Sequence, residues 1–222
     1  MAAHFAAMAG QLINGRIIET EADIAEGCVW LSRAEPRFAA ALDLAGAPPL
    51  RRREGGFRAL LRTICSQQLS VASAEAVWMR LVAAGADDPA TLLALGEEGL
   101  RRCGLSRQKI RYAVALAGAE IDYPSLAILP EADAIATLTA VNGIGVWTAE
   151  IYLMFSVGRA DVFAPGDLAL QEAARLLFEL PERPNEKTLR GQAAAWSPWR
   201  GGAARLLWAY YRAVKQREGI AE

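Results

Sequence analysis

The sequence predicts an all-α protein, and three observations carry that prediction. Hydrophobic residues make up 53% of the 222 positions, with Ala and Leu abundant and Val and Ile comparatively few, a balance that favours helix over sheet. Apolar residues recur at helical spacing, as in Phe57, Leu60, Leu61 and Ile64. The periodic stretches are short and are closed by Gly, Pro and Ser or Asp capping signals. A chain of this length can bury a large core, as one domain or as two small helical lobes sharing a cleft.

Along the chain, the first 48 residues suggest two or three short helices, with 21–34 and 36–45 the clearest. Pro48 and Pro49 cannot continue a helix, so a boundary falls there. The segment GGFRALLRTICSQQLS from Gly55 reads as a buried helix that ends in a polar knot, Ser66, Gln67, Gln68 and Ser70. Ser70 is placed to cap the next helix, 71–84, through its side-chain oxygen. Short helices follow at 88–95 and 97–103, and Gly104 stops the second. Ser106 reads as the N-cap of a helix running to about residue 119. IDYPSLAILP is a proline-bounded connection, and 131–140 forms the next helix. After a glycine turn come helices at 146–157, from Asp167 onward, at 185–196 and from Arg200 to about Lys215. No internal repeat is evident.

The formal net charge is −1 and the pI about 6.0, which argues against a protein that coats nucleic acid electrostatically. The charges are uneven, however. Arg51, Arg52, Arg53, Arg58 and Arg62 share one segment with only Glu54 opposing them, and Arg101, Arg102, Arg107, Lys109 and Arg111 form another. These are either a local basic face or solvated helix surfaces. Three scattered cysteines, Cys28, Cys65 and Cys103, match neither a disulfide framework nor a metal-ligand spacing, which points to a reducing compartment. MAAHFAAMAG lacks the basic start and long apolar core of a signal peptide. No apolar run approaches the roughly 20 residues of a membrane span. A soluble protein of the cytosol, or of the nucleus in a eukaryote, is expected.

The stretch from Leu138 to Ala174 organises the rest. Asn142, Gly143, Ile144 and Gly145 form a tight hairpin, where glycine lets the backbone turn and approach another molecule closely. Such amides beside a helix N-terminus suit a phosphate, although the same residues would serve a plain helix–helix turn. Asp167 follows a Pro-Gly turn and precedes an apolar helical run. It reads equally as an N-cap and as a functional carboxylate.

At this point a resemblance becomes specific. LTAVNGIGVWTAEIYL resembles the helix-hairpin-helix motif of the DNA glycosylase superfamily, and VFAPGDLALQEA resembles the Gly/Pro-rich loop that carries that superfamily's catalytic Asp. ICSQQLSVASAEAVWMRL, GLSRQKIRYAVALA and SPWRGGAARLLWAYY are similar to further helices of the DNA-3-methyladenine glycosylase II group. Together these segments span about residues 55–212. The first 50 residues are too few for the separate β domain that some members carry.

The resemblance implies one glycosylase unit over 1–222, with one lobe at 50–160 ending in the helix-hairpin-helix and the other formed by 1–49 with 161–222. It makes Asp167 the catalytic carboxylate, stabilising an oxocarbenium-like sugar and positioning water. Gly143, Gly145 and Trp147 would grip the DNA backbone. Trp147, Trp208 and Tyr152 would line a pocket for the flipped base, with Phe155, Phe57 and Trp30 as further candidates, although aromatics at helical spacing also serve as core. Gln68 and Leu69 fall at the minor-groove wedge. Gln67 would satisfy backbone groups, and Lys109 and Arg111 would contact phosphates or lie on a solvated face.

In members that are also lyases, a lysine of the hairpin's second helix attacks the sugar. Here that position is Trp147, so a monofunctional enzyme is implied. The four clustered cysteines of iron–sulfur members are absent from the sequence. The one histidine, His4, is far from these motifs and no carboxylate pairs with Asp167 in sequence, so no general acid for the leaving base is evident. Bases alkylated at N3 or N7 of a purine already carry positive charge and leave without one. The expected substrate is double-stranded DNA with alkylated purines of the 3-methyladenine and 7-methylguanine type, attacked by a monomer in base excision repair. No organic cofactor is implied, and a sodium or potassium ion at the hairpin carbonyls is compatible with the motif. Rival readings are a glycosylase for ethenoadenine or hypoxanthine, a non-catalytic DNA-binding module, and a helical interaction protein in which Gly-Ile-Gly is only a turn.

Overall fold

The computed structural model describes residues Arg16–Arg217; His4 and the N-terminal decapeptide lie outside them. The described residues form eleven α-helices: α1 Glu21–Ala34, α2 Arg37–Ala45, α3 Gly56–Ser66, α4 Val71–Ala83, α5 Pro89–Arg102, α6 Arg107–Ala117, α7 Glu131–Thr139, α8 Val146–Tyr152, α9 Leu168–Leu177, α10 Glu186–Ala193 and α11 Arg200–Arg217. The one β feature among them is an isolated antiparallel bridge between Ile17 and Arg159. No helix of the described residues is long and apolar enough to cross a membrane. The protein is thus all-α, as the Ala/Leu-rich composition predicts.

Capping chemistry sets most of the helix starts. Thr20 and Asp23 form a reciprocal capping box on α1, Ser70 accepts the amide of Ser73 on α4, Asp88 that of Thr91 on α5 and Ser106 that of Lys109 on α6. Each such cap is worth about 1 kcal/mol. The two short helices expected at 88–95 and 97–103 are the halves of α5, which is broken at Gly96 by its φ of 62° and ψ of −177°. The expected helix 146–157 is one continuous stretch whose second part, Leu153–Val157, is a π-helical turn.

The chain forms two compact units, one of Arg53–Tyr152 and one of the segments flanking it. In the flanking unit, α11 packs on α1, α2 and α9. Phe38, Phe178 and Trp196 meet there with ring centroids 5.3–5.8 Å apart, and such aromatic pairs add about 0.5–1.5 kcal/mol each beyond their buried area. In the middle unit, α3 packs on α4 and α6, α5 on α6, and α7 on α8, around buried Leu60, Leu61, Ile64, Leu81, Leu100 and Leu116.

The middle unit ends at Tyr152, ahead of the expected residue 160. The reason lies in the backbone: Ile18 N–H donates to Gly158 and Ala160 N–H to the carbonyl of Arg16, both at 2.7 Å. These bonds tie residues 158–160 to the N-terminal segment. All three cysteines are buried and free.

Candidate active site and nucleic-acid interface

In the flanking unit, Asp167 is the N-cap of α9. Its Oδ1 accepts from the amides of Ala169 and Leu170, both at 3.0 Å. The indole N–H of Trp208, on α11, donates to the same oxygen at 3.2 Å. The N-cap reading of Asp167 therefore holds, and the helix amides and the indole fix the carboxylate's orientation while it remains only part-buried. The next residue, Leu168, is 62% exposed.

The loop that delivers Asp167 is fastened along its length. Arg200 holds Asp161 through Nε to Oδ1 at 2.8 Å and Nη2 to Oδ2 at 3.1 Å, and Nη2 also donates to the Asp161 carbonyl at 2.7 Å. Ser197 Oγ donates to the same carboxylate at 2.8 Å. A Cβ at Gly201 would lie only 2.9–3.0 Å from the carbonyls of Arg159, Ala160 and Val162, so glycine lets α11 start directly against this loop. Further on, buried Gln171 donates to the Pro165 carbonyl at 2.9 Å and the Asp167 amide to Ala164 at 3.0 Å. Trp208 also meets Phe155, ring centroids 5.7 Å apart at 33°. The structure thus brings Asp167, Trp208 and Phe155 together.

In the middle unit, the hairpin joins α7 to α8. Gly143 adopts a φ of +100°, and a Cβ there would stand 2.3 Å from Cγ of Tyr112 on α6, so conformation and space both demand glycine. A Cβ at Gly145 would meet nothing within 4 Å. That side of the turn is open to an approaching molecule. Ile144 anchors the hairpin at 4% exposure, and Val146 and Trp147 are each 46% exposed. Trp147 is therefore a surface residue, not a core one.

The polar knot and the hairpin are linked. Gln67 Nε2 donates to the Gly143 carbonyl at 3.1 Å, so Gln67 satisfies a backbone group of the hairpin. Lys109, a candidate phosphate contact, has a structural task instead: its Nζ donates at 2.6 Å to the Cys65 carbonyl near the end of α3. Burial, only partly countered by Cys65, holds its ammonium below the usual lysine value. Lys109 and Tyr112, one helical turn apart on α6, thus support the α3–α4 turn and the hairpin respectively. In that turn Gln68 and Leu69 are both exposed, Leu69 at 42%. Gln68 has a φ of 56°, a costly conformation for a residue with a side chain.

Other candidates fall elsewhere. Tyr152 is 6% exposed and its hydroxyl accepts the Gly56 amide at 2.7 Å. It ties α3 to α8 within the middle unit, a correction to its expected place as a pocket face. Phe57 is core at 8% exposure, Trp30 is half-buried and Arg111 is exposed. Four arginines of the basic segments are paired: Arg58 with Asp87 at 3.7 Å, Arg62 with Glu75 at 2.6 Å, Arg102 with Glu98 at 3.1 Å, and Arg101 with Glu97. Arg58 and Arg62 also stack on Trp78. Exposed pairs of this kind add little stability, but they offset the charge of these four arginines. Sequence reasoning missed Tyr112 and the Arg200–Asp161 clasp, because their roles depend on partners distant in the chain. No cluster of His, Cys, Asp or Glu among the described residues could hold a metal ion.

These features, a helix-hairpin-helix and an Asp on a Gly/Pro loop, define a base-excision fold. A family model described as HhH-GPD superfamily base excision DNA repair protein matches residues 61–199, and the chain belongs to that superfamily and, within it, to the 3-methyladenine glycosylase family. A DNA-3-methyladenine glycosylase 1 of Schizosaccharomyces pombe is 30% identical over 161 residues, 68% of this chain and 71% of that protein. The crystal structure of a DNA-3-methyladenine glycosidase from Bacillus halodurans superposes with a TM-score of 0.78 at 30% identity, covering 84% of this chain and 89% of that one. A 3-methyladenine DNA glycosylase of S. pombe in complex with abasic DNA gives 0.67 at 28% identity, covering 82% and 95%.

Proposed function

We propose that this protein is a monofunctional DNA glycosylase that hydrolyses the N-glycosidic bond of alkylated purines in duplex DNA. The alkylated-base excision is the activity of the family to which the chain belongs; the reaction type and the roles of residues are argued from its own side chains. The observation that carries the reading is Asp167, held by two helix amides and the Trp208 indole on a clamped loop. A carboxylate so oriented faces developing positive charge on the sugar without having to reorganise, which lowers the barrier to loss of the base. The same oxygens can orient the water that completes hydrolysis. Trp147 stands where a lyase has its lysine, so no amine at that position forms a Schiff base.

In this reading the two units divide the work. The hairpin, through Gly143, Gly145 and Trp147, grips the backbone beside the lesion, and the exposed Gln68–Leu69 turn enters the gap that base flipping leaves. Trp208 with Phe155 offers aromatic surface to the base, and a cationic purine on indole gains roughly 0.5–2 kcal/mol of cation–π attraction. The hairpin carbonyls of Val141, Gly143 and Gly145 already accept from Ile144, Gln67 and Ala149. A sodium or potassium ion there would take their second lone pairs, as oxygen donors allow. The reading is tested by incubating the protein with methylated duplex DNA. It expects release of 3-methyladenine with the strand left intact until base or amine is added. No release overturns it, and strand cleavage without those additions overturns the monofunctional part.

A further inference from the structure

Arg205 lies on α11 at 3% exposure, and nothing in the reaction above uses it. Its Nη1 donates to the Gly201 carbonyl at 3.1 Å and its Nη2 to the Met154 carbonyl at 2.7 Å. Its guanidinium carbon stands 4.6 Å from the centroid of the Phe155 ring. Its Nε has no hydrogen-bond partner among the described residues. Burial, together with the neighbouring cation Arg52, pushes its pKa down to about 10. No carboxylate contributes to holding its charge.

A buried cation without a counter-charge is a stability cost, and apolar replacements of such groups are often neutral or stabilising. Stability therefore does not account for Arg205, and the groups it touches suggest what does. Met154 and Phe155 belong to the π-helical turn Leu153–Val157, in which the Leu153 carbonyl accepts from both Gly158 and Arg159 at 2.9 Å. Such turns are rare and concentrate at functional sites. Arg205 takes the next carbonyl of that turn and lies against the ring that follows it. Phe155 in turn contacts Trp208, whose N–H reaches Asp167. Arg205 and Trp208 are three residues apart and so share one face of α11. Both lie beyond residue 199, where the family match ends.

We propose that Arg205 is a positioning residue: by holding the π-helical turn at Met154 and the ring of Phe155, it sets the Trp208 indole so that its N–H meets Asp167. The role in catalysis rests on the reading of Asp167 as the catalytic carboxylate; the structural link does not.

The test uses Arg205→Met, Arg205→Lys and Phe155→Leu, with Trp208→Phe to assign one signal. In 15N-labelled full-length protein, the indole N–H resonance that vanishes in Trp208→Phe belongs to Trp208. In Arg205→Met that resonance is expected to move toward the position of an unbonded indole, with a thermal midpoint unchanged or higher. Single-turnover base release falls by about tenfold to a hundredfold, while affinity for abasic duplex is retained. Arg205→Lys, which keeps a cation near Phe155 but not the planar fork, recovers part of the rate. Phe155→Leu reproduces the resonance shift with Arg205 in place. A folded Arg205→Met with an unmoved Trp208 resonance overturns the proposal, whatever its midpoint. If Arg205→Met does not fold, an unmoved resonance in Phe155→Leu overturns it instead. Failure of the catalytic reading shows separately, as absence of base release by the unsubstituted protein, since the resonance is read without activity.

Discussion

The indole N–H of Trp208 and the Oδ1 of Asp167 are 3.2 Å apart, so an aromatic of the last helix is joined directly to the carboxylate that caps α9. Hydrogen bonds to a charged group are worth about 1.5–3 kcal/mol. Trp208→Phe keeps the ring and removes only the donor. It is expected to slow single-turnover base release about tenfold or more. Asp167→Asn is expected to lose at least about two orders of magnitude in the same assay, with binding to abasic duplex retained. Undiminished release by Asp167→Asn would contradict the proposed chemistry.

The bond from Gln67 to the Gly143 carbonyl joins the α3–α4 turn to the hairpin. Gln67→Leu leaves that carbonyl without its partner and loosens the link. Weaker binding to duplex is expected, by about tenfold, with little change in the rate of release at saturating protein. Gly143→Ala combines a strained φ with a clash against Tyr112. Its expected cost is about 1–3 kcal/mol of stability, read by thermal or urea unfolding.

Gln68 and Leu69 share one turn but differ in backbone. Gln68→Gly relieves the positive φ and is expected to stabilise the protein by up to about 1 kcal/mol. Leu69→Ala removes an exposed apolar side chain and, if Leu69 is the proposed wedge, is expected to leave stability unchanged while reducing the fluorescence rise of 2-aminopurine placed beside a lesion. The opposite pattern, with 2-aminopurine insensitive to Leu69 and sensitive to Gln68, would assign the wedge to Gln68.

Asp23 titrates low. Burial raises its pKa, but this is outweighed by hydrogen bonds from the Glu19 amide, the Thr20 hydroxyl, Arg16 and the Thr20 amide, which bring it to about 2. Because the folded value lies below the ordinary 3.8, the carboxylate contributes stability that is present above pH 3.8 and is lost as pH falls through about 2. Thermal midpoints measured across that window should fall less steeply in Asp23→Asn than in the unsubstituted protein. Equal slopes would show that the capping box does not set the acid limit.

Local signals in the chain were enough for most of the secondary structure and for the identity of the motifs. α1 runs from Glu21 to Ala34 as capping and periodicity predict, Ser70 and Ser106 cap as read, and Gly143 turns where the hairpin requires it. Such features depend on neighbours within a few residues, so their physics is written in contiguous sequence. Composition likewise sufficed for an all-α fold.

Partners far apart in the chain were beyond that reach. Lys109 reads as a phosphate contact or a solvated residue until its ammonium is seen on the Cys65 carbonyl, and Tyr152 as a pocket or core aromatic until its hydroxyl is seen on the Gly56 amide. Four arginines of the basic runs, Arg58, Arg62, Arg101 and Arg102, turn out to be offset once Asp87, Glu75, Glu97 and Glu98 are beside them. The line from Arg205 through Phe155 and Trp208 to Asp167 joins three separate segments. A side chain's function there depends on which group folding brings within about 3–4 Å, and packing sets that distance, whereas the residue's type sets only what it can do on arrival.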